Sequence, residues 1–272
     1  MGFLFVDSIE WIESGKSARG RFNTLNGRAM PPSLIAEAIG QLAGWIAMER
    51  CDFSARPVAG IVGECVIESQ VTSGDQVELE VEAGTCDSDA IEYRGSAATG
   101  GKRIVELSQC IGPMLPMEEF DDPARVAKRF KALRSGEGKR DVTSELFGPM
   151  PIEPIETKER GVAHAILEAP RSSLVYGEHF PRKPILPGTL LLDAEMRLGL
   201  SLVGREAASK ELGDGVRRVS IRGIKFRTFI NPGARLELEA RLLGSNAKQR
   251  VIALGASQRG KKVAAASMEI EL

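Results

Sequence analysis

The stretch "PGTLLLDAEMRLGLSLVG" at residues 187–204 has an earlier counterpart in "PPSLIAEAIGQLAGWIAMER" at residues 31–50. Each stretch opens with proline, and Ser33 or Thr189 follows within the first turn, which is typical of a helix start. Each is apolar around most of its circumference, as a helix wrapped by a sheet must be. The two stretches therefore predict buried helices at 33–50 and 189–204.

The similarity of the two halves extends beyond these helices. "IEWIESGKSARGRF" (9–22) resembles "IEPIETKERGVAHAI" (152–166), and "VTSGDQVELEVE" (71–82) resembles "INPGARLELEAR" (230–241). The order is the same in both halves, and the offset in numbering drifts only slightly, from 152 − 9 = 143 to 233 − 74 = 159. This pattern predicts two copies of one α+β domain, each with a long helix against an antiparallel sheet.

We assign the two copies to residues 1–113 and 150–272, joined by a linker at 114–149. The linker segment "DDPARVAKRFKALRSGEG" (121–138) is predicted to form one helix. Its apolar residues recur at helical spacing, and they are Val126, Phe130 and Leu133. We interpret this helix as a packing and bridging element, with a partner-binding helix as the alternative.

The composition excludes several classes of protein. A net charge of -1 and an aromatic share of 5% argue against a nucleic-acid surface. The start "MGFLFVDSIEW" lacks the basic region of a secretory signal, and no run of 18 apolar residues is present, so neither secretion nor a membrane span is expected. The four cysteines form no C-x-x-C pair, which favours reduced thiols in a cytoplasmic protein without a metal site.

Two acidic residues occupy the same place in the two predicted helices. Glu37 is surrounded by apolar residues, and burial would raise its pKa and leave a protonated carboxyl that can donate a proton. From the helix pattern alone, Glu37 can also lie on a solvated stripe. Asp193 has Arg197 four residues later, and that cation would lower its pKa in a structural ion pair.

The approach to the second helix contains a possible base. His179 can accept a proton near neutral pH, although a loop histidine is more often a surface residue. Gly188 offers an N–H at the helix start, which suits an oxyanion, whereas Pro32 in the first copy has none. Counting back nine residues from Pro32 places Asn23 opposite His179, and asparagine has no basic nitrogen. His164 is predicted to face outward from a strand.

At "HFPRKPILPGTLLLDA" (179–194) the chain resembles the β-hydroxyacyl-acyl-carrier-protein dehydratases of fatty acid synthesis, the FabA and FabZ type. The first half resembles the same family in "FLFVDSIEWIESGKSARG" (3–20) and "MPPSLIAEAIGQ" (30–41). The resemblance implies a double hotdog, in which each antiparallel sheet wraps a long central helix. It also implies sites between the hotdogs, so that His179 and Gly188 would join Glu37, while Asn23 would join Asp193 in a degenerate site.

The resemblance implies dehydration of (3R)-hydroxyacyl thioesters to trans-2-enoyl thioesters, with one composite site per chain. His179 would act as base, Glu37 as acid and Gly188 as oxyanion donor, while Phe180, Pro187 and Gln41 would contact the substrate. The acyl group would arrive on the phosphopantetheine of an acyl carrier protein or coenzyme A, without metal or redox cofactor. The chain could form a homodimer. The alternatives are a hotdog thioesterase and a non-catalytic acyl-thioester-binding protein.

The chain departs from the family pattern around the histidine. Glu178 replaces the usual glycine before it and could affect its pKa, and Arg182 and Lys183 stand where a glycine usually follows His-Phe-Pro. Basic residues could form an entrance for an acidic carrier or for the coenzyme A phosphates, or could simply be a solvated face. They are Arg182, Lys183, Arg217, Arg218, Arg222, Lys225 and Arg227.

Overall fold

The computed structural model describes residues 4–24, 30–69, 71, 74–138, 149–203 and 217–272. The first half contains β1 (Ser8–Glu13), β2 (Ser17–Asn23), α1 (Pro32–Arg50), β3 (Ala55–Pro57), β4 (Ile61–Ile67), β5 (Gln76–Cys86), β6 (Ala90–Thr99) and β7 (Lys102–Pro116). A 3₁₀ turn (Met117–Glu119) and α2 (Pro123–Arg134) follow. The second half contains β8 (Glu153–Ile155), β9 (Val162–Glu168), α3 (Leu174–His179), α4 (Gly188–Ser201), β10 (Arg218–Phe226), β11 (Arg235–Ser245), β12 (Gln249–Gln258) and β13 (Lys261–Glu271).

The strands pair antiparallel into a sheet that runs through both halves. Its order is β1-β2-β5-β6-β7-β4-β10-β13-β12-β11-β9-β8, with β3 beside β7. The halves meet where β4 pairs with β10, from Ile67 opposite Val219 to Ile61 opposite Lys225. Within each half the sheet packs on its own helix, α1 or α4, and the two helices contact each other. The predicted double hotdog is confirmed.

The internal repeat is visible in the strands, because β5 matches β11 in length and β6 matches β12. Both pairs have the same offset in numbering, 235 − 76 = 159 and 249 − 90 = 159. The offset is only 162 − 17 = 145 between the starts of β2 and β9, but 187 − 31 = 156 between the prolines before α1 and α4. The second half therefore has an insertion between strand and helix, and that segment includes α3.

Both long helices begin one residue earlier than predicted. The residues at their N-caps are Pro31 and Pro187, and neither helix has a side-chain cap. Ser33 and Thr189 lie inside the first turn, as expected, so their hydroxyls are not capping groups. α4 ends at Ser201, and position 204 of the predicted helix lies outside the described residues.

The boundaries of the linker and of its helix differ from the predicted ones. β7 continues to Pro116, past the predicted end of the first domain, and the linker helix is the shorter α2. The Asp122 side chain accepts a hydrogen bond from the Arg125 backbone N–H at 3.0 Å, which caps α2. Residues 139–148 lie outside the described residues.

The apolar face of α2 packs on the first hotdog. The Phe130 ring lies 5.9 Å from the Trp45 ring and 5.5 Å from the Phe53 ring, measured between centroids. Val126 and Leu133 are buried on the same helix. These contacts show a packing role for the helix, and its bridging role stays a prediction. Among the described helices, none is long and apolar enough to cross a membrane.

Candidate active site

His179 is held at the junction between a short helix and a loop. It is the last residue of α3, whose start is capped by the Ser173 hydroxyl accepting from the Val175 N–H at 3.2 Å. The loop then runs to α4, and the Leu186 N–H donates to the Ile230 carbonyl at 2.8 Å. The chain is therefore helical up to His179 and forms a loop from there to α4. The additional segment of the second half thus places the imidazole.

The structure brings His179 next to Glu37 from the other half of the chain. His179 Nε2 lies 4.0 Å from Glu37 Oε1, and each side chain is only 14% exposed. The Thr189 hydroxyl at the start of α4 donates to Glu37 Oε2 at 2.8 Å, and Gln41 Nε2 donates to Glu37 Oε1 at 3.1 Å. A histidine of one hotdog thus faces a carboxyl of the other, which is the crossed arrangement.

The oxygen and the nitrogen of the Gln41 side-chain amide both form hydrogen bonds. Its Oε1 accepts from the Phe5 N–H at 2.8 Å, while its Nε2 donates to Glu37. Both contacts fix the amide between the N-terminal segment and the carboxyl. Gln41 therefore orients Glu37, and it also lines the cavity described below, so the expected contact with substrate stays a prediction.

Gly188 is the first residue of α4 and lies against an aromatic ring. A β-carbon at this position would lie 2.8–2.9 Å from three atoms of the Phe226 ring, closer than van der Waals contact allows. Glycine is therefore needed for the helix start to approach β10 this closely. The first N–H groups of a helix have no intrahelical partner, so they present donors to whatever occupies the adjacent space.

Burial changes the protonation of both central groups. Desolvation raises the pKa of Glu37, while the hydrogen bonds from Gln41 and Thr189 and the charge of Arg56 oppose that rise. Desolvation, together with the charge of Arg56, lowers the pKa of His179 to about 3, against the opposing effect of a hydrogen bond with the Ile185 backbone. Glu178 was predicted to affect this pKa, but it is not a main cause of the shift. The compartment thus favours a neutral imidazole facing a protonatable carboxyl.

These groups open on a cavity of about 870 Å³. His179, Glu37, Gly188 and Thr189 line it at the junction of the two hotdogs. Much of the remaining wall is apolar, and its members include Trp45, Met48, Val58, Ile61, Leu107, Leu191 and Ile224. The linker helix α2 also lines the cavity, with Arg125, Val126, Arg129 and Ala132. Such a cavity suits a long apolar group with its polar end at the imidazole.

Phe180 supports the loop that follows His179 from inside the protein. It is 4% exposed, and its ring centroid lies 4.8 Å from that of Phe120 on the linker. Val58 and Ile185 complete this small apolar cluster. The Phe180 ring also lies 3.9 Å from the His179 ring. Pro187, the N-cap of α4, fixes the end of the same loop. Both residues thus support the loop, and Phe180 also lines the cavity.

Asp193 lies on α4 in an ion pair with Arg197. Arg197 Nε donates to its Oδ2 at 2.9 Å, as the spacing predicts. Burial raises the pKa of Asp193 despite this cation, so the prediction of a lowered pKa is wrong. Burial has the larger effect because the side chain is only 13% exposed.

Asn23 does not correspond to His179. It ends β2, where its backbone N–H donates to Asp7 Oδ2 at 2.8 Å and its Oδ1 accepts from Gln76 Nε2 at 3.2 Å. Counting back from Pro32 reached Asn23 because it ignored the insertion in the second half. Asn23 therefore corresponds to Glu168 at the end of β9, and the expected equivalence is wrong.

The two basic residues after His-Phe-Pro bind the linker. Arg182 Nη2 lies 3.2 Å from Asp122 Oδ2, and Lys183 Nζ lies 2.9 Å from Glu119 Oε2. Lys183 Nζ also lies 4.8 Å from the centroid of the Phe120 ring. These contacts tie the loop that carries His179 to the linker, and the role of the two residues as an entrance stays a prediction.

The other basic residues of the predicted entrance differ in their contacts. Arg222 pairs with Glu64 at 2.9 Å and with Glu269 at 3.4 Å, so it links β4, β10 and β13. Four remain exposed, and these are Arg217, Arg218, Lys225 and Arg227. Arg227 also lines the cavity. His164 lies on β9, partly exposed and 4.0 Å from Glu239, which fits an outward-facing strand residue.

Two residues of this site were not identified from the sequence. The helix pattern places Thr189 at a helix start, and nothing local indicates that its hydroxyl reaches Glu37 in the other half of the chain. Arg56 on β3 belongs to no motif, yet its Nη1 donates to the His179 carbonyl at 3.5 Å. Both contacts join the two halves, which explains why no local pattern reveals them.

Comparison with known proteins gives a family model and relatives that each match part of the chain. The family model described as ApeI dehydratase matches residues 155–267. The FabZ 3-hydroxyacyl-[acyl-carrier-protein] dehydratase of Halalkalibacterium halodurans is 33% identical over 117 residues, 38% of this chain and 83% of the relative. That of Bacillus subtilis is 34% identical over 125 residues, 40% of this chain and 88% of the relative.

Solved structures share the architecture over almost the whole chain. The dehydratase domain of PpsC from Mycobacterium tuberculosis, in complex with C12:1-CoA, aligns with a TM-score of 0.55 and 13% identity, covering 100% of this chain and 99% of that one. An acyl-ACP thioesterase from Bacteroides thetaiotaomicron aligns with a TM-score of 0.54 and 9% identity, covering 94% and 97%. At such identities the likeness shows the fold alone.

Proposed function

Because the chain belongs to the family of FabZ-type 3-hydroxyacyl-[acyl-carrier-protein] dehydratases, we propose that it removes water from (3R)-hydroxyacyl thioesters to give trans-2-enoyl thioesters. The observation that carries this proposal is the distance of 4.0 Å between His179 Nε2 and Glu37 Oε1, at the head of an apolar cavity. A base and an acid on the two sides of one compartment suit the elimination of a proton and a hydroxyl group.

The chemistry follows from the protonation of the two groups. The neutral His179 imidazole takes the proton from C2 of the substrate, and the electrons of that C–H bond form the C2=C3 double bond. The C3–O bond breaks, and protonated Glu37 donates its proton to the departing hydroxyl, which leaves as water. His179 gains one proton and Glu37 loses one. Transfer of a proton from the imidazolium to the carboxylate then restores the site.

Loss of the C2 proton builds negative charge on the thioester carbonyl oxygen. The N–H of Gly188 at the start of α4 would stabilise that charge, with help from the positive end of the helix dipole. The acyl chain would occupy the apolar cavity, and the thioester would be carried on the phosphopantetheine of an acyl carrier protein or coenzyme A. Exposed Lys225 and Arg227 would lie near an incoming phosphate-bearing carrier.

The proposal is tested by following both possible reactions of a thioester. We expect 3-hydroxyacyl thioesters to yield the ultraviolet absorbance of a conjugated enoyl thioester, and enoyl thioesters to lose it on hydration, without release of free thiol. Several chain lengths are offered on coenzyme A and on acyl carrier protein, and thiol is measured with a disulfide reagent. Thiol release without an enoyl product would indicate a thioesterase, and no turnover of any substrate would indicate an acyl-binding protein.

Gly188→Ala is expected to reduce the kcat/KM of dehydration by about 10² or more, the effect of losing one oxyanion donor. The substitution keeps the backbone N–H, but the new β-carbon would lie 2.8 Å from the Phe226 ring, so the ring and the start of α4 must move apart. We expect this movement to displace the N–H from the oxyanion. The double variant Gly188→Ala/Phe226→Leu relieves the clash and should recover part of the rate. Wild-type activity in the single variant would contradict this assignment.

A further inference from the structure

Arg56 brings a positive charge from the first hotdog to the catalytic loop of the second. It lies on β3, and its Nη1 donates to the carbonyl of His179 at 3.5 Å. Its guanidinium carbon lies 4.1 Å from the centroid of the Phe180 ring, within the range of a cation–π contact. Arg56 thus touches two successive residues of the loop that carries the proposed base, and it lines the same cavity.

The charges around Arg56 do not neutralise it. Asp121 on the linker is engaged elsewhere, since its Oδ1 lies 2.6 Å from Arg125 Nη2 and accepts from the Asp122 N–H at 2.6 Å. Among the ion pairs found in the described part of the chain, none involves Arg56, and its buried Nε has no hydrogen-bond partner there. The remaining nearby carboxyl, Glu37, is the group whose burial favours its neutral form.

The guanidinium nevertheless stays charged at neutral pH. Burial lowers the pKa of Arg56 to about 10, while the charges of Asp121 and Glu37 oppose that fall. A positive charge held in a compartment with little water acts strongly on its neighbours. It disfavours an imidazolium at His179, which keeps the base ready to accept a proton. It also favours a carboxylate at Glu37, which assists release of the proton of the acid.

We infer that Arg56 is a positioning residue of the proposed dehydration, which holds the His179–Phe180 loop across the two hotdogs and keeps the imidazole in its neutral, basic form. The inference rests on the proposed function. The two roles depend on different properties of the side chain. The stack on Phe180 requires the planar guanidinium, whereas the effect on the imidazole requires only the positive charge.

A series of substitutions separates these roles. Arg56→Lys keeps the charge without the planar stack, Arg56→Gln removes the charge, and Arg56→Glu reverses it. The charged groups around the imidazole and Arg56 are Glu37 on α1, Glu178 on α3, and Asp121 and Arg125 on the linker. All of them are unchanged in the three variants, so a graded effect reports on position 56 alone.

The chain permits a direct measurement of the imidazole by NMR, because it has only two histidines. His164→Gln identifies the His179 signals in each background. We expect the titration midpoint of His179 to stay low in the lysine variant, to rise by about one pH unit in the glutamine variant, and to rise by about two in the glutamate variant. A role confined to loop geometry would leave the midpoint unchanged.

The same variants are assayed for dehydration across pH. The acid limb of kcat/KM, which reports the pKa of the free base, should move to higher pH in the glutamine variant. The lysine variant should keep the position of this limb and have a lower rate.

An unchanged His179 midpoint in both charge-altering variants, with their circular dichroism intact, would overturn the inference even if dehydration proceeds. A shifted midpoint in a protein without dehydratase activity would support the effect of Arg56 and contradict the proposed reaction. If the charge-altering variants fail to fold, a lysine variant with a raised His179 midpoint would overturn the inference.

Discussion

His179→Ala is expected to reduce the rate of dehydration by roughly 10²–10⁴-fold, the usual contribution of a general base. Glu37→Gln should cause a loss of the same order, because glutamine keeps the acceptor for Thr189 but cannot donate a carboxylic proton. The two groups act in one step, so the double variant should lose little more than either single variant. The measurement is kcat/KM for the formation of enoyl thioester.

Asp193→Asn is the matched control for these losses. Asp193 occupies the helix position equivalent to Glu37, but its carboxylate is bound to Arg197 at 2.9 Å. Asparagine keeps an acceptor for Arg197, so we expect most of the activity to remain. An inactive Asp193→Asn protein beside an active Glu37→Gln protein would show that the acid has been assigned to the wrong half.

Glu195→Met is expected to stabilise the protein at alkaline pH by about 3 kcal/mol or more. Glu195 lies on α4, is 1% exposed, and its Oε1 has no hydrogen-bond partner among the described residues. Burial raises its pKa from 4.5 to about 8. The unfolded chain therefore loses this proton near pH 4.5, whereas the folded protein keeps it until about pH 8.

The sign of the pH dependence follows from this difference. Below the unfolded pKa both states are protonated, and the group brings no penalty of ionisation. As pH rises toward 8 the unfolded state is increasingly favoured, so the free energy of unfolding contributed by Glu195 falls and then levels off. The stability gain of Glu195→Met should therefore grow between about pH 5 and pH 8.5.

Urea unfolding at a series of pH values measures this gain. The exposed Glu237 on β11 serves as the control, since Glu237→Met should give a small difference that hardly varies with pH. A gain from Glu195→Met that is the same at both ends of this pH range would contradict burial of a protonated carboxyl. Lower stability at every pH would instead indicate that the glutamate has a polar partner in the folded protein.

The loop that carries the proposed base shows how tertiary contacts can give motif residues another role. Arg182 and Lys183 depart from the family pattern, and their charge suggested an entrance for a carrier. In the structure they bind Asp122 and Glu119 of the linker, while Phe180 packs on Phe120. The linker therefore forms part of the support of the proposed base, in addition to joining the two hotdogs.

The two-copy α+β architecture could be predicted from the chain alone, because periodicity, turn residues and the internal repeat are local patterns that survive in a linear sequence. The family motif then identified each copy as a hotdog and indicated that His179 should meet Glu37. A gap-free count misplaced Asn23, because an insertion between β9 and α4 leaves no mark on the spacing within one half alone.

The electrostatic arrangement of the site emerges only in the packed protein. Thr189 reaches Glu37 from the other half of the chain, and Arg56 reaches the His179 carbonyl in the opposite direction. Burial, and not Arg197, sets the direction of the pKa shift at Asp193. Desolvation and charge act through space over a few ångströms, whereas sequence patterns report only neighbours along the chain, so these properties exist only once the two hotdogs have packed together.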